Sequence, residues 1–223
     1  MLEFQFEIDI DDNERPKKSY TIIDCDQGTD EWLAARIGKI TASNMNIFFG
    51  DGITKDKLVS SKVAEILTGK IDNRIRFSSK DTDAGNDLED DARIAYEEFT
   101  GNKVDQIGLA SLDEFVSCSP DGLIGENVGL EIKCPNDANF INAVIGGKAY
   151  IIPLYLMQMQ MQMWVLELDW VDYVLYNPNF KNPIHIIRID RNEKLIKEIK
   201  NQVELVKKEI TNKIIKFNKI MER

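Results

Sequence analysis

The order of apolar and polar positions along the 223 residues divides the chain into helices, then strands, then helices again. Leu2, Phe4, Phe6, Ile8 and Ile10 alternate with polar residues like a half-exposed strand, and a polar turn follows over residues 11–18. Over residues 30–37 the spacing becomes helical, with Thr29 or Asp30 as the N-cap and Gly38 as the stop. Ile40-Thr41-Ala42-Ser43 reads as the start of a second helix capped by Thr41 or Ser43. Residues 55–68 (Leu58, Val63, Ile66, Leu67) and 84–100 (Leu88, Ala92, Ala95, Tyr96, Phe99) are amphipathic and close on Gly69 and Gly101. The period then shortens to two, predicting strands over 104–109, 114–118 and 128–134 with Gly, Pro and Asp turns between them. A helix over 153–166 and strands over 170–176 and 184–189 follow. The last element spans about 192–221, with apolar residues at 196, 199, 203, 206, 210, 214 and 217, the stripe of a long amphipathic helix. With no repeat and no linker, one α/β domain over 1–223 is predicted. It has an extension over 1–25, a mixed, mostly antiparallel sheet flanked by helices over about 27–190, and the C-terminal helix.

Composition narrows the chemistry. The chain is 43% hydrophobic and 30% charged, which excludes a disordered polymer. No apolar run approaches the ~18 residues of a membrane span, and the N-terminus lacks a basic-then-apolar leader, so a soluble, cytoplasmic protein is expected. Cys25, Cys118 and Cys134 contain no C-x-x-C pair, against a zinc ribbon or a disulfide framework. A single histidine, His185, leaves little room for Ser-His or Cys-His hydrolysis. Carboxylates, lysines and amides must carry any reaction. The net charge of -10 argues against a nonspecific DNA coat, yet the charge is uneven. Residues 191–223 carry ten Lys/Arg against five Asp/Glu, whereas residues 81–98 concentrate eight carboxylates. Most of those eight fit a solvated acidic helix, but a metal site also needs carboxylates that only a cation neutralises.

The chemistry-bearing segment is Ser117-Cys118-Ser119-Pro120-Asp121-Gly122-Leu123, followed after a turn by Gly129-Leu130-Glu131-Ile132-Lys133-Cys134. Strand alternation sets Glu131 and Lys133 on one face and Leu130, Ile132 and Cys134 on the core side. Asp121, at a Pro-Asp-Gly bend, can reach the same spot. Two converging carboxylates suit Mg²⁺ or Mn²⁺. A lysine beside them can orient or deprotonate a water and offset charge on a phosphoryl group. The residues alone also fit an Asp-Gly hairpin turn beside an exposed Glu/Lys pair. In the helix over 153–166, Tyr155, Gln158 and Gln162 share one face, and the Met-rich stripe on another face is core packing.

Five blocks carry a resemblance. They are Gln27-Gly28 with Trp32-Leu33-Ala34-Ala35-Arg36-Ile37-Gly38 and Ile40-Thr41-Ala42-Ser43; Gly85-Asn86-Asp87-Leu88-Glu89-Asp90-Asp91-Ala92-Arg93; Cys118-Ser119-Pro120-Asp121-Gly122-Leu123; Gly129 to Pro135; and Tyr155 to Gln160 with Met163-Trp164-Val165. In this order over about residues 27–180, the chain resembles the YqaJ-type viral recombinase family of phage-lambda-exonuclease-like enzymes, within the PD-(D/E)xK nuclease superfamily. The resemblance implies a restriction-endonuclease-like core and a Mg²⁺-dependent (Mn²⁺ possible) 5′-to-3′ exonuclease. Such an enzyme acts on double-stranded DNA with 5′-phosphorylated ends, releasing mononucleotides and leaving a 3′ overhang for recombination by single-strand annealing. It assigns Asp121, Glu131, the Ile132 carbonyl and Glu89 to two metal ions, Lys133 to the attacking water and Gln158 to the scissile phosphate or its water, with Tyr155 as a weaker candidate. Arg36, Ser43 and Ser119 would hold the terminal 5′-phosphate. Gln160 and Gln162 are read as structural. A homotrimeric ring, duplex DNA ends and a single-strand annealing protein are the implied partners, with no membrane. Rival readings are a noncatalytic DNA-end binder on the same scaffold, or a RecB-like nuclease or endonuclease of different polarity. RecB-like relatives often bind an iron-sulfur cluster through four cysteines, and this chain has three.

Overall fold

A computed structural model describes residues 18–71 and 88–222. The alternating segment over residues 2–10 and the part of the acidic block before Leu88 lie outside the described residues. In chain order the elements are β1 (Thr21–Ile23), α1 (Asp30–Ala35), β2 (Ile40–Thr41), α2 (Met45–Phe49), α3 (Ile53–Thr68), α4 (Glu89–Thr100), β3 (Leu109–Ser111), β4 (Val116–Cys118), β5 (Gly122–Ile124) and β6 (Val128–Lys133). They continue with α5 (Asp137–Gly146), α6 (Pro153–Val165), β7 (Trp170–Tyr176), β8 (Ile184–Asp190) and α7 (Glu193–Met221).

The strands form two four-stranded mixed sheets rather than one mostly antiparallel sheet. The first runs β1-β3-β4-β2, with β2 parallel to β4; the second runs β5-β6-β7-β8, with β6 parallel to β7. The break falls at Ser119-Pro120-Asp121. Pro120 has no N–H to give a ladder, and the Ser119 hydroxyl donates to the Gly108 carbonyl at 2.7 Å instead. Beyond the break, Gly122 opens β5, and a Cβ there would stand 2.3 Å from a Val104 methyl, so the chain needs glycine at this crossing. The strand expected over 104–109 is reduced to one bridge between Asp105 and Leu123, and pairing resumes at Leu109. The helix expected to start at Ile40 is displaced because Ile40 N–H donates to Phe115 O and draws Ile40–Thr41 into the sheet. The Thr41 and Ser43 hydroxyls face each other at 3.2 Å and cap nothing. Thr29, by contrast, caps α1 through the Trp32 N–H.

Strand β6 is covered on both faces, which decides where the site forms. Leu130 and Ile132 pack with Ala92 and Tyr96 of α4 and with Val174 and Tyr176 of β7. The Tyr96 hydroxyl donates to Asp172 at 2.7 Å and fastens α4 to β7. The opposite face lies under α6, whose Met159, Met161 and Met163 are fully buried in the main core. Full burial of each such side chain contributes ~1.5–3 kcal/mol. Helix α7 buries Ile196, Ile199, Val203, Val206 and Ile210 against that core, while Phe217, predicted to continue the stripe, is exposed. Among the described residues, no single helix is long and apolar enough to cross a membrane.

Candidate active site

Glu131 is fully buried, and its carboxylate is the point on which the site converges. Oε1 accepts from the Lys133 ammonium and from Gln158 Nε2 at 2.8 Å; Oε2 accepts from Gln162 Nε2 at 2.7 Å. Lys133 Nζ also donates to the Ile132 carbonyl at 2.8 Å and stands 5.1 Å from the centre of the Tyr155 ring. Burial alone would push the lysine pKa down, but the Glu131 and Asp121 carboxylates outweigh it and the pKa rises. The raised pKa favours the ammonium, whose N–H groups donate to Glu131 and Ile132 O.

Asp121 follows the Pro120 bend and meets β6 where that strand carries the site: its N–H donates to Leu130 O at 3.1 Å, and its Oδ2 accepts from Ile132 N–H at 2.6 Å. Burial, with Glu131 nearby, pushes the Asp121 carboxyl well up from its ordinary range. Glu89 opens α4 and pairs with Arg93 at 3.2 Å; burial raises its pKa too, against the pull of Arg93. Three carboxylates thus press on one another with too little positive charge between them. Among the described residues, no three His, Cys, Asp or Glu side chains gather closely enough to hold an ion by themselves. Glu131 is held by three donors and Glu89 by Arg93. Even so, the Lys133 ammonium is a cation held by Glu131 Oε1 and Ile132 O, and those hard oxygens beside Asp121 are the donor type that Mg²⁺ or Mn²⁺ takes. The residues fit a divalent cation.

A second cluster forms where α1, the β2 end and the β4–β5 bend meet. The Arg36 guanidinium stacks on the Trp32 ring at 3.9 Å and reaches Ser43 Oγ at 3.4 Å. Trp32 Nε1 donates to Ser119 Oγ at 2.9 Å. Burial pushes the Arg36 pKa down to about 10. The loop behind Arg36 is pinned by the buried Glu65, which accepts from Gly38 N–H at 2.9 Å and pairs with the buried Lys62. Gly38 has φ +71, and a Cβ there would meet Ile66 at 2.5 Å.

One groove of about 1470 Å³ runs past both clusters. Residues 31–169 match the YqaJ-like viral recombinase domain. The alkaline exonuclease LHK-Exo from Laribacter hongkongensis is 31% identical, with a TM-score of 0.80 over 87% of this chain and 98% of its own; a second structure of LHK-Exo holds dAMP. The chain belongs to the YqaJ-like viral recombinase family. A phage-related exonuclease from Haemophilus somnus 129PT, 20% identical, shares the fold with a TM-score of 0.62 over 80% of this chain and 96% of its own. No curated protein sequence matches.

Within this recombinase domain, Arg36, Ser43, Glu89, Ser119, Asp121, Glu131, Ile132, Lys133, Tyr155 and Gln158, all expected at the site from sequence, line the same groove. Gln160 is structural as expected: it donates to Asp190 O and accepts from Asn192 N–H. Gln162, also read as structural, bonds Glu131 directly and shares a helix face with Gln158, four residues before it. Trp32, which braces both Arg36 and Ser119, stands in the first resembling block, which assigns it no role. Cys134 lines the groove as a thiol raised to about 11 by burial, and His185 sits on β8 opposite Leu175, off the groove.

The electrostatics give a test on stability. Because the folded Asp121 carboxyl holds its proton to higher pH than the unfolded one, ionising it costs stability as pH rises from ~4 upward. In EDTA at pH 7, Asp121→Asn should melt above wild type, by roughly 2–4 °C for each ~1 kcal/mol relieved, with the gap closing toward pH 4. The new amide oxygen can still accept from Ile132 N–H. Glu131→Gln should instead melt lower, because its NH₂ would face the amide donors of Gln158 or Gln162, a loss of ~1–3 kcal/mol. Melting curves of the two variants with opposite signs support this electrostatic description; Asp121→Asn melting below wild type at pH 7 contradicts it.

Proposed function

We propose that this chain is a metal-dependent deoxyribonuclease that degrades double-stranded DNA from 5′-phosphorylated ends in the 5′-to-3′ direction. It would release mononucleotides and leave a 3′ overhang for recombination by single-strand annealing. The observation that carries the reading is the buried Glu131–Lys133–Gln158 cluster beside Asp121, in one groove with Arg36 and Ser43. Family membership and the likeness to an alkaline exonuclease support a nuclease; the dAMP held by that relative supports a mononucleotide product.

Two Mg²⁺ (or Mn²⁺) ions on Asp121, Glu131, the Ile132 carbonyl and Glu89 would supply the Lewis-acid stabilisation of attacking and leaving oxygens of a phosphodiester. The protein's own groups do the rest. The Lys133 ammonium, which lines the groove, would hold a water by donation and offset charge that develops on the phosphoryl oxygens. Gln158, on the groove side of α6, turns its amide toward the same water or phosphate while holding Glu131 Oε1. Arg36, with Ser43 beside it in the groove lining, would meet a terminal phosphate dianion, and Trp32 holds the guanidinium over its ring. Ser119 gives its one proton to the Gly108 carbonyl, so its contribution to that pocket requires releasing this bond. A ring-shaped homotrimer threaded by duplex DNA, working with a single-strand annealing protein, accommodates an acidic chain, because basic surface is then needed only along the channel.

The test uses linear duplex labelled at either end, with or without a 5′-phosphate, in Mg²⁺ or EDTA. Mg²⁺-dependent release of 5′-nucleotides from the 5′ end is the expected result; retention of intact duplex would make the chain an end binder. Lys133→Ala should slow cleavage by roughly 10²–10³-fold while DNA binding stays near wild type, and full activity would remove Lys133 from the mechanism. Arg36→Ala should reduce the preference for phosphorylated over unphosphorylated ends roughly tenfold or more, on ~1.5–3 kcal/mol for a charged hydrogen bond. An unchanged ratio would refute the pocket.

A further inference from the structure

The two glutamines that grip Glu131 are not equivalent. Gln158 and Gln162 lie one turn apart on α6 and each donates its amide to a different oxygen of the same carboxylate. Gln158 lines the groove; Gln162 does not, and it is 1% exposed. Off the groove and enclosed, Gln162 meets the site through Glu131, which does line the groove.

The orientation of this amide is dictated by charge. Turned the other way, its carbonyl oxygen would oppose the carboxylate, so the NH₂ must face Glu131 Oε2. That choice leaves Gln162 Oε1 buried without a hydrogen-bond partner. An orphaned buried oxygen is a cost, and a methionine of similar length would trade it for a buried Glu131 Oε2 with no donor. Methionines at 159, 161 and 163 fill the α6 core around Gln162, together with Val165 and the buried Gln160. An amide here therefore leaves its own oxygen unanswered and returns the donor that holds Oε2 in one direction.

We propose that Gln162 is a positioning residue that locks the Glu131 carboxylate so that Oε1 is presented, together with Ile132 O, to a divalent cation. This rests on the metal-dependent reading above. Outer groups of this kind change metal affinity by roughly 10–100-fold when removed. The lock also separates two duties on one helix. Gln162 orients the carboxylate from inside, which leaves the groove-side Gln158 able to exchange Glu131 for water or phosphate without the carboxylate turning.

Calorimetric titration of the apo protein with Mn²⁺, without DNA, tests it. Gln162→Met should melt lower than wild type in EDTA, having lost the donor to Glu131 Oε2, and where folded should bind Mn²⁺ roughly tenfold or more weakly, with a cleavage rate that recovers as Mn²⁺ is raised. Gln162→Asn, which keeps a buried amide but withdraws it by one methylene, should weaken Mn²⁺ in the same direction and stands in if the methionine variant does not fold. Wild-type Mn²⁺ affinity in either folded variant would overturn the positioning role and reduce Gln162 to filler. Absence of Mn²⁺ binding by the wild type would overturn the metal reading itself, a different result from the first.

Discussion

A carboxylate with no exposed surface, set between a sheet and a helix, destabilises the fold unless both its oxygens are answered, and Glu131 is such a group. Its answers come from Lys133 on its own strand and from Gln158 and Gln162 on α6. The position of α6 over β6 is therefore set by polar as well as apolar contacts, and a donor that moves away must be replaced by another donor or a cation. Asp121 is drawn into the same place by a backbone bond to Ile132. The cluster is rigid because it is buried, and its surplus of negative charge is the property that a cation would relieve.

The rest of the fold serves this cluster in recognisable ways. Parallel pairing of β6 with β7 needs a long crossover, and α5 with α6 supplies it while delivering Gln158 and Gln162. Leu130 and Ile132, on the far face of β6, seat α4, whose first residue is Glu89. The break between the two sheets at Pro120 sets Ser119 beside the Arg36–Trp32 stack and Asp121 beside Glu131, so adjacent residues serve two neighbouring clusters.

Much of this was legible in the residues. The strand over 128–134 and its alternation followed from period two, and Glu131 and Lys133 do share a face. What alternation does not reveal is that the polar face is roofed by α6: a strand covered on both sides and a strand half in water differ only in what crosses above them. The turn chemistry misled at 119–124, where Pro-Asp-Gly signals a bend but not the short β5 beyond it, which depends on Gly122 crossing Val104. Helix α5 escaped notice because its apolar side chains are spread around it; Phe140 and Ala143 are buried while Ile141 and Ile145 are exposed. Ile40 reads as helical in isolation and is extended only because the Phe115 carbonyl claims its N–H. The phosphate-pocket candidates could not be chosen from spacing at all, since Arg36, Ser43 and Ser119 are common residues drawn together by the tertiary fold. They entered through resemblance to a family.

The central claim is that the oxygens now holding an ammonium are a divalent-cation site. Anomalous diffraction from crystals of this protein grown with Mn²⁺ tests it directly. The account predicts a manganese peak bounded by Asp121, Glu131 and the Ile132 carbonyl, with Lys133 Nζ displaced from the Glu131 oxygen it now occupies. Lys133 still seated on Glu131 and Ile132, with no manganese between these groups, would contradict it.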